Sequence, residues 1–212
     1  MDVATAVRTA LALLDADGLD KLTVRRLATE LGVKAPALYW HFSNKRALLD
    51  RMTDAIVAPV LTRLPPLDTP WLTWLEETAL ALRAALLSHR DGARIALGAD
   101  LRVARSLGEV AERTVEVVHR AGASLADATR AAGVLVHFVI GRTVEEQALP
   151  DSSAMAEEIS TVPFPLMARG MRERHESGAT VADDFRYALG IVLTGLDGTL
   201  RRESGPSPAG RS

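Results

Sequence analysis

Apolar residues recur at helical intervals from one end of this chain to the other. In the opening segment Val3, Ala6, Val7, Ala10, Leu13 and Leu14 share one face of a helical spiral. Asp2 stands where a side chain can accept from the first free amides, and Gly18 stands just past the last apolar position. The pattern therefore predicts a helix to about Ala16. Thr23 is placed to cap a second, short helix to about Leu31, which Gly32 breaks. A third helix is expected from Ala35 to His41, with Pro36 tolerated in its first turn. Ala28, four residues before Gly32, is small enough to let the two short helices cross closely, and a helix-turn-helix is predicted. Ser43 is expected to cap the following helix, which runs through NKRALLDRMTDAIVAPVLTRL to Leu64.

The stretch LPPLDTP, residues 64–70, is the one plausible boundary. Beyond it the periodicity predicts a helix from Pro70 to Ser88, a short helical piece between Gly92 and Gly98, and a helix from Leu101 to Ala121. Ser124 and Asp127, spaced as a capping box, open another that reaches about Gln147. The polar stretch ALPDSSAMAEEISTVPFP reads as a loop, followed by a helix over 166–176. In the last helix, Asp183 to Arg201, Phe185, Ala188, Leu189, Val192, Leu193, Leu196 and Leu200 form a stripe suited to a partner. The tail ESGPSPAGRS, 204–212, is too polar and proline-rich to fold. The expected class is all-α, with a helix-turn-helix domain at 1–45, a connecting helix at 43–64 and a C-terminal helical domain at 65–203.

Composition excludes several function classes. With 48% hydrophobic and 25% charged residues in 212, the chain reads as soluble and globular. It has no cysteine, which removes disulfides and thiolate chemistry and fits a cytoplasmic location. The N-terminus does not resemble a signal peptide. The longest apolar run, AAGVLVHFVIG, is about half the roughly 20 residues needed to cross a bilayer, so no membrane partner is expected. The net charge is only −2, yet Lys21 to Arg46 holds six basic residues against one acid, a local charge of +5. Basic charge concentrated on one element is the footprint of a nucleic-acid reader.

That element also holds Tyr39, Trp40 and Phe42, three of the chain's nine aromatics. A helix of about seven residues presents few side chains to a major groove. Ala35, Pro36 and Ala37 suit thymine methyls, and Tyr39 and His41 suit phosphates. Lys45 adds a charge at the start of the next helix. Thr23, Lys34 and Trp40 complete the candidate DNA-facing set, although core packing is equally open for Trp40 and Phe42. One such unit makes too little DNA contact for tight specific binding. A homodimer on a palindromic double-stranded operator is expected, with the helices 124–147 and 183–201 forming a four-helix interface.

The segment LTVRRLATELGVKAPALYWHFSNKRALLD resembles the DNA-binding module of the tetracycline-repressor (TetR) family. ALLSHRDGARIALG and VHFVIGRTVEEQ are similar to that family's ligand-binding core. The resemblance implies that 65–203 binds a small-molecule inducer and dimerises, and that Arg25 reads a base. It also matches Pro36, Tyr39, Trp40, His41 and Lys45 to recognition positions. Ala35 and Ala37 replace a glutamine and a threonine there, which implies a different operator.

In the ligand core, His137 and Glu145 match a metal-linked histidine and glutamate, whereas Ala96 replaces the histidine that holds the drug's magnesium. Thr78, Leu82 and Leu61 replace asparagine, phenylalanine and histidine, so a mostly apolar inducer without a metal or other cofactor is implied. Read without the family, His137 and Glu145 lie about 12 Å apart along a helix and are turned by roughly 80°. Gly133 and Gly141 flank His137 and leave room beside it. His137 can equally be a core histidine, and Glu145 a partly solvated partner of Arg142. A constitutive DNA-binding protein is the first alternative and a helical enzyme the second. For the enzyme there is no nucleophile motif, glycine-rich phosphate loop or H-E-x-x-H pattern.

Overall fold

The computed structural model describes residues 2–149 and 152–203. Among these, eleven helices and no strand are present: α1 Val3–Asp17, α2 Val24–Glu30, α3 Ala35–Tyr39, α4 Lys45–Leu61, α5 Trp71–Leu87, α6 Gly92–Ala96, α7 Arg105–Arg120, α8 Leu125–Ala148, α9 Ser152–Thr161, α10 Pro165–Glu176 and α11 Val181–Glu203. None of the described helices is long and apolar enough to cross a membrane. The tail at 204–212 lies outside the described residues.

Local chemistry sets most boundaries. Asp2 accepts from the Thr5 N–H and Thr23 from the Arg26 N–H, so α1 and α2 start as expected. At α4 the cap is Asn44 rather than Ser43, through a 2.9 Å bond from the Ala47 N–H. The third helix stops at Tyr39, two residues earlier than expected, because the His41 and Phe42 amides both turn back onto the Leu38 carbonyl. Gly32, at φ +65°, makes the turn between α2 and α3 in a conformation that L side chains rarely adopt. α7 begins at Arg105 instead of Leu101. The Val103 and Ala104 amides fold onto the Asp100 carbonyl, and Asp54 of α4 accepts from the Ser106 N–H at 2.7 Å. Thr180 and Asp183 exchange hydrogen bonds as a capping box, which moves the start of α11 back to Val181.

The segment expected to be a loop contains α9. Its hydrophobic signal is weak, but Met155 and Ile159, four residues apart, share a cavity wall with Met171 of α10. That packing supplies what the sequence pattern lacks.

One continuous core runs through both ends of the chain. Buried residues of α1, α2 and α3 join those of α4, and the same cluster continues into α5 to α8 and α11. α4 packs on α1 and also on α5, α6 and α7, so it joins the N-terminal helices to the C-terminal ones. The apolar stripe of α11 is used within the chain. Phe185, Leu189 and Leu193 are buried where α11 packs on α5 and α8, and Phe185 meets Phe138 and lies under the Arg83 guanidinium. Tyr187 and Ile191 face outward instead.

Candidate nucleic-acid interface and ligand cavity

In the first three helices, apolar spacing decides which side chains remain free. Leu22, Leu27, Leu38 and Phe42 are buried with α1 and α4, which turns the intervening residues to solvent. Thr23, Arg25, Lys34, Pro36, Ala37, Tyr39, Trp40, His41 and Lys45 are exposed, and Ala35 is half-buried. The two undecided aromatics separate: Phe42 is 0% exposed and Trp40 90%. The basic residues separate as well. Arg26 pairs with Asp17, and Lys45 Nζ donates to the Leu19 carbonyl at 3.1 Å. The Arg25 and Lys34 side chains have no partner among the described residues and stay available to an anion.

Two sets of contacts tie this head to the rest of the chain. The first is a polar row on α4. Arg46 donates to Asp50 at 2.8 Å, to the Leu97 carbonyl at 2.9 Å and to the Ile95 carbonyl at 2.6 Å. Asp50 accepts from the Asp100 N–H at 3.2 Å, and Thr53 donates to the Leu49 and Ile95 carbonyls. The second joins the α1–α2 turn to the α5–α6 turn. Asp15 meets His89 Nδ1 and the Arg90 N–H, and Asp91 accepts from the Leu19 N–H at 2.8 Å. Arg94 bridges Asp91 and Asp20.

Asp91 holds a left-handed φ of 55°, an uncommon conformation outside glycine that these contacts fix. Burial raises its carboxyl pKa, but the Leu19 N–H and Arg94 outweigh burial and hold it below the ordinary value. Gln147 of α8 closes the same turn, accepting from the Ala93 N–H and donating to the Leu86 and His89 carbonyls. A Cβ on Gly92 would stand 2.2 Å from the Leu86 carbonyl oxygen, so only glycine fits there.

A cavity of about 490 Å³ lies among the α6–α7 segment, α7 and α8, within the size range of small-molecule sites. Most of its wall is aliphatic, including Ala96, Leu97, Leu101, Leu107, Val136 and Ile140. Glu112, Thr129 and His137 add polarity. The α4 row therefore grips the backbone on either side of Ala96, within the segment that forms one wall of this cavity.

Residues 6–52 match the family model for bacterial regulatory proteins of the tetR family, and residues 64–200 match the tetracyclin repressor-like C-terminal domain. The chain belongs to the TetR family. Its relatives include the class C tetracycline repressor protein of Escherichia coli, 40% identical over 201 residues that cover 90% of this chain and 88% of the relative. Among solved structures, it is similar to a glutamine-to-alanine variant of TetR from Acinetobacter baumannii AYE in complex with minocycline, with TM-score 0.77, 33% identity and full coverage of both chains. It is also similar to BioQ with its double-stranded DNA operator, with TM-score 0.67, 31% identity and coverage of 92% of this chain and 98% of that one. The curated relatives are regulators rather than enzymes.

In this TetR-family protein the expected ligand residues are not all in one place. Ala96 and His137 line the cavity. Thr78 and Leu82 are buried in α5 outside the cavity wall, and the Thr78 hydroxyl has no hydrogen-bond partner among the described residues. Leu61 lines a separate cleft with Arg105 and Glu109. Gly141 is half-buried and Glu145 exposed, neither on the wall. The alternative Glu145–Arg142 pair is not formed among the described residues: Arg142 Nε is buried without a partner there, and the neighbouring Glu146 accepts from Arg83 Nε at 2.8 Å. No group of three or more His, Asp or Glu able to hold a metal occurs among the described residues.

Sequence reasoning missed Glu112 and Thr129. The signal was present: Gly108, Ala111, Glu112 and Val115 recur at i, i+3, i+4 and i+7, as do Thr129, Ala132, Gly133 and Val136. Arg46, Asp50 and Thr53 were also legible as polar residues on a helix face that is otherwise apolar.

Proposed function

We propose that this protein is a ligand-responsive repressor that binds a palindromic operator as a homodimer and lets go when a small, mostly apolar inducer fills the α6–α8 cavity. The Arg46 contacts carry this reading. Arg46 stands one residue from Lys45, at the base of the reading head, and grips carbonyls on both sides of Ala96. A ligand that moves the 96–101 wall moves the start of α4.

Specificity comes from Arg25 on a base, with Ala35, Pro36 and Ala37 against thymine methyls, while Lys34, Tyr39 and His41 hold phosphates, as does Lys45 with the N–H groups that the Leu19 carbonyl leaves free. A solved relative that holds operator DNA and another that holds minocycline support the two halves of the reading separately. The dimer forms through α8 and α11, where Val134, Tyr187 and Ile191 are exposed. The ligand acts only by preferring one spacing of the two heads, and a hundredfold loss of DNA affinity needs about 2.7 kcal/mol of preference.

The residues present do not suit a magnesium–tetracycline complex. Ala96 offers no ligand atom, and Glu145 is exposed away from the wall that His137 lines. The test is DNA retained by the purified protein, followed by fluorescence anisotropy as compounds are added. Release by an apolar compound, unchanged by EDTA, is expected. Release by micromolar tetracycline that needs Mg²⁺ would overturn the ligand reading.

A further inference from the structure

The proposed inducer site has a chemical bias that narrows its ligand, and the inference rests on that functional reading. α7 carries Glu109, Glu112 and Glu116. Arg113 holds Glu109 at 3.0 Å and Glu116 at 3.1 Å, and Arg120 also reaches Glu116. Glu112, on the cavity-facing stripe, has no partner among the described residues. Arginines next to the cavity in sequence are already neutralised: Arg102 pairs with Asp100, whose carboxyl it lowers to about 2, and Arg130 pairs with Asp127. Among the described residues, no lysine or arginine lines the cavity wall. The remaining polar groups also favour a donor. The Thr129 hydroxyl gives its hydrogen to the Leu125 carbonyl at 2.8 Å, which leaves only lone pairs for a ligand, and His137 can present a ring nitrogen as acceptor.

We propose that the cavity selects lipophilic monocations: a flat or alicyclic apolar body carrying one protonated amine, with Glu112 as counter-ion at the rim. The aliphatic wall removes the body from water, and the carboxylate takes the N–H groups in a charge-assisted hydrogen bond. An anionic ligand of the same shape would face an uncompensated carboxylate. A neutral one would leave it unused.

The test uses the full-length protein and three fluorescent probes with one ring system: 1-pyrenemethylamine, 1-pyrenemethanol and 1-pyrenecarboxylate. Anisotropy titrations at fixed ionic strength are expected to give the amine about tenfold tighter binding than the alcohol, with the carboxylate weakest. In Glu112→Gln the amine-to-alcohol ratio should fall to near one while alcohol binding stays unchanged. In Glu109→Gln, which alters a paired acid on the same helix, the tenfold ratio should remain. Equal binding of all three probes, tighter binding of the carboxylate, or a ratio that survives Glu112→Gln would overturn the assignment. DNA retention is measured on the same preparation. Retained DNA with no probe binding overturns the cation site alone, whereas loss of DNA binding counts against the regulator and leaves the probe ratio readable.

Discussion

Replacing Arg46 with alanine tests the joint between the reading head and the cavity wall. The substitution removes charge-assisted bonds of 2.8, 2.9 and 2.6 Å to Asp50 and the Leu97 and Ile95 carbonyls. It strands the Asp50 carboxylate, whose side chain is only 4% exposed, with the Asp100 N–H as its remaining partner. Breaking a fully buried pair from one side costs about 3–5 kcal/mol. The Arg46 side chain is 36% exposed, so water can partly replace it, and screening reduces the expected loss to about 2–3 kcal/mol. In a chain of this size that lowers Tm by roughly 4–12 °C. Adding Asp50→Asn removes the stranded charge and should recover about 1–2 kcal/mol. Urea unfolding at fixed protein concentration measures both, since dimerisation makes stability concentration-dependent. A loss below about 0.5 kcal/mol for Arg46→Ala, or no recovery in the double variant, would show that Arg46 does not hold the joint.

Three further outcomes follow from burial and local geometry. Phe42→Ala should cost about 3–5 kcal/mol by denaturant titration, while Trp40→Ala should stay within about 0.5 kcal/mol, since the first ring is fully buried and the second is solvated. Gly92→Ala should cost about 3 kcal/mol in the same assay, because its Cβ meets the Leu86 carbonyl and the α5–α6 turn must shift. Asp91 is ionised and fully effective above its unfolded pKa near 4, and its anchoring of the head is lost as pH falls through its lower folded value. Melting curves from pH 5 to 2.5 should therefore fall less steeply for Asp91→Asn than for the parent protein.

What the sequence revealed depended on where the deciding energy lies. Caps and breakers act within a few residues, so Asp2, Thr23, Gly32 and Ser124 were readable directly. Trp40 and Phe42 have the same apolar character two residues apart, and it is Phe42, four residues after the buried Leu38 and hydrogen-bonded to its carbonyl, that turns inward. The stripe on α11 was visible, but its destination was not: Phe185 pairs with Phe138, almost fifty residues away in sequence. α9 was hidden because its support comes from α10. At the candidate site, the resemblance pointed to His137 and Ala96; the stripe that carries Glu112 is in the sequence, and what sets this acid apart is that its neighbours Glu109 and Glu116 are paired with Arg113.

On the reading proposed above, the exposed face of α2 and α3 reads a palindromic operator. The most direct measurement is sequencing of the fragments that the purified protein retains from a random double-stranded library, repeated with Arg25→Ala and Lys45→Ala. One inverted repeat with half-sites about 34–36 Å apart is expected. Arg25→Ala should cost about 1–3 kcal/mol and blur one base position in each half, whereas Lys45→Ala should weaken all sequences about equally. Recovery of no common sequence, or of a site without inverted symmetry, would contradict it.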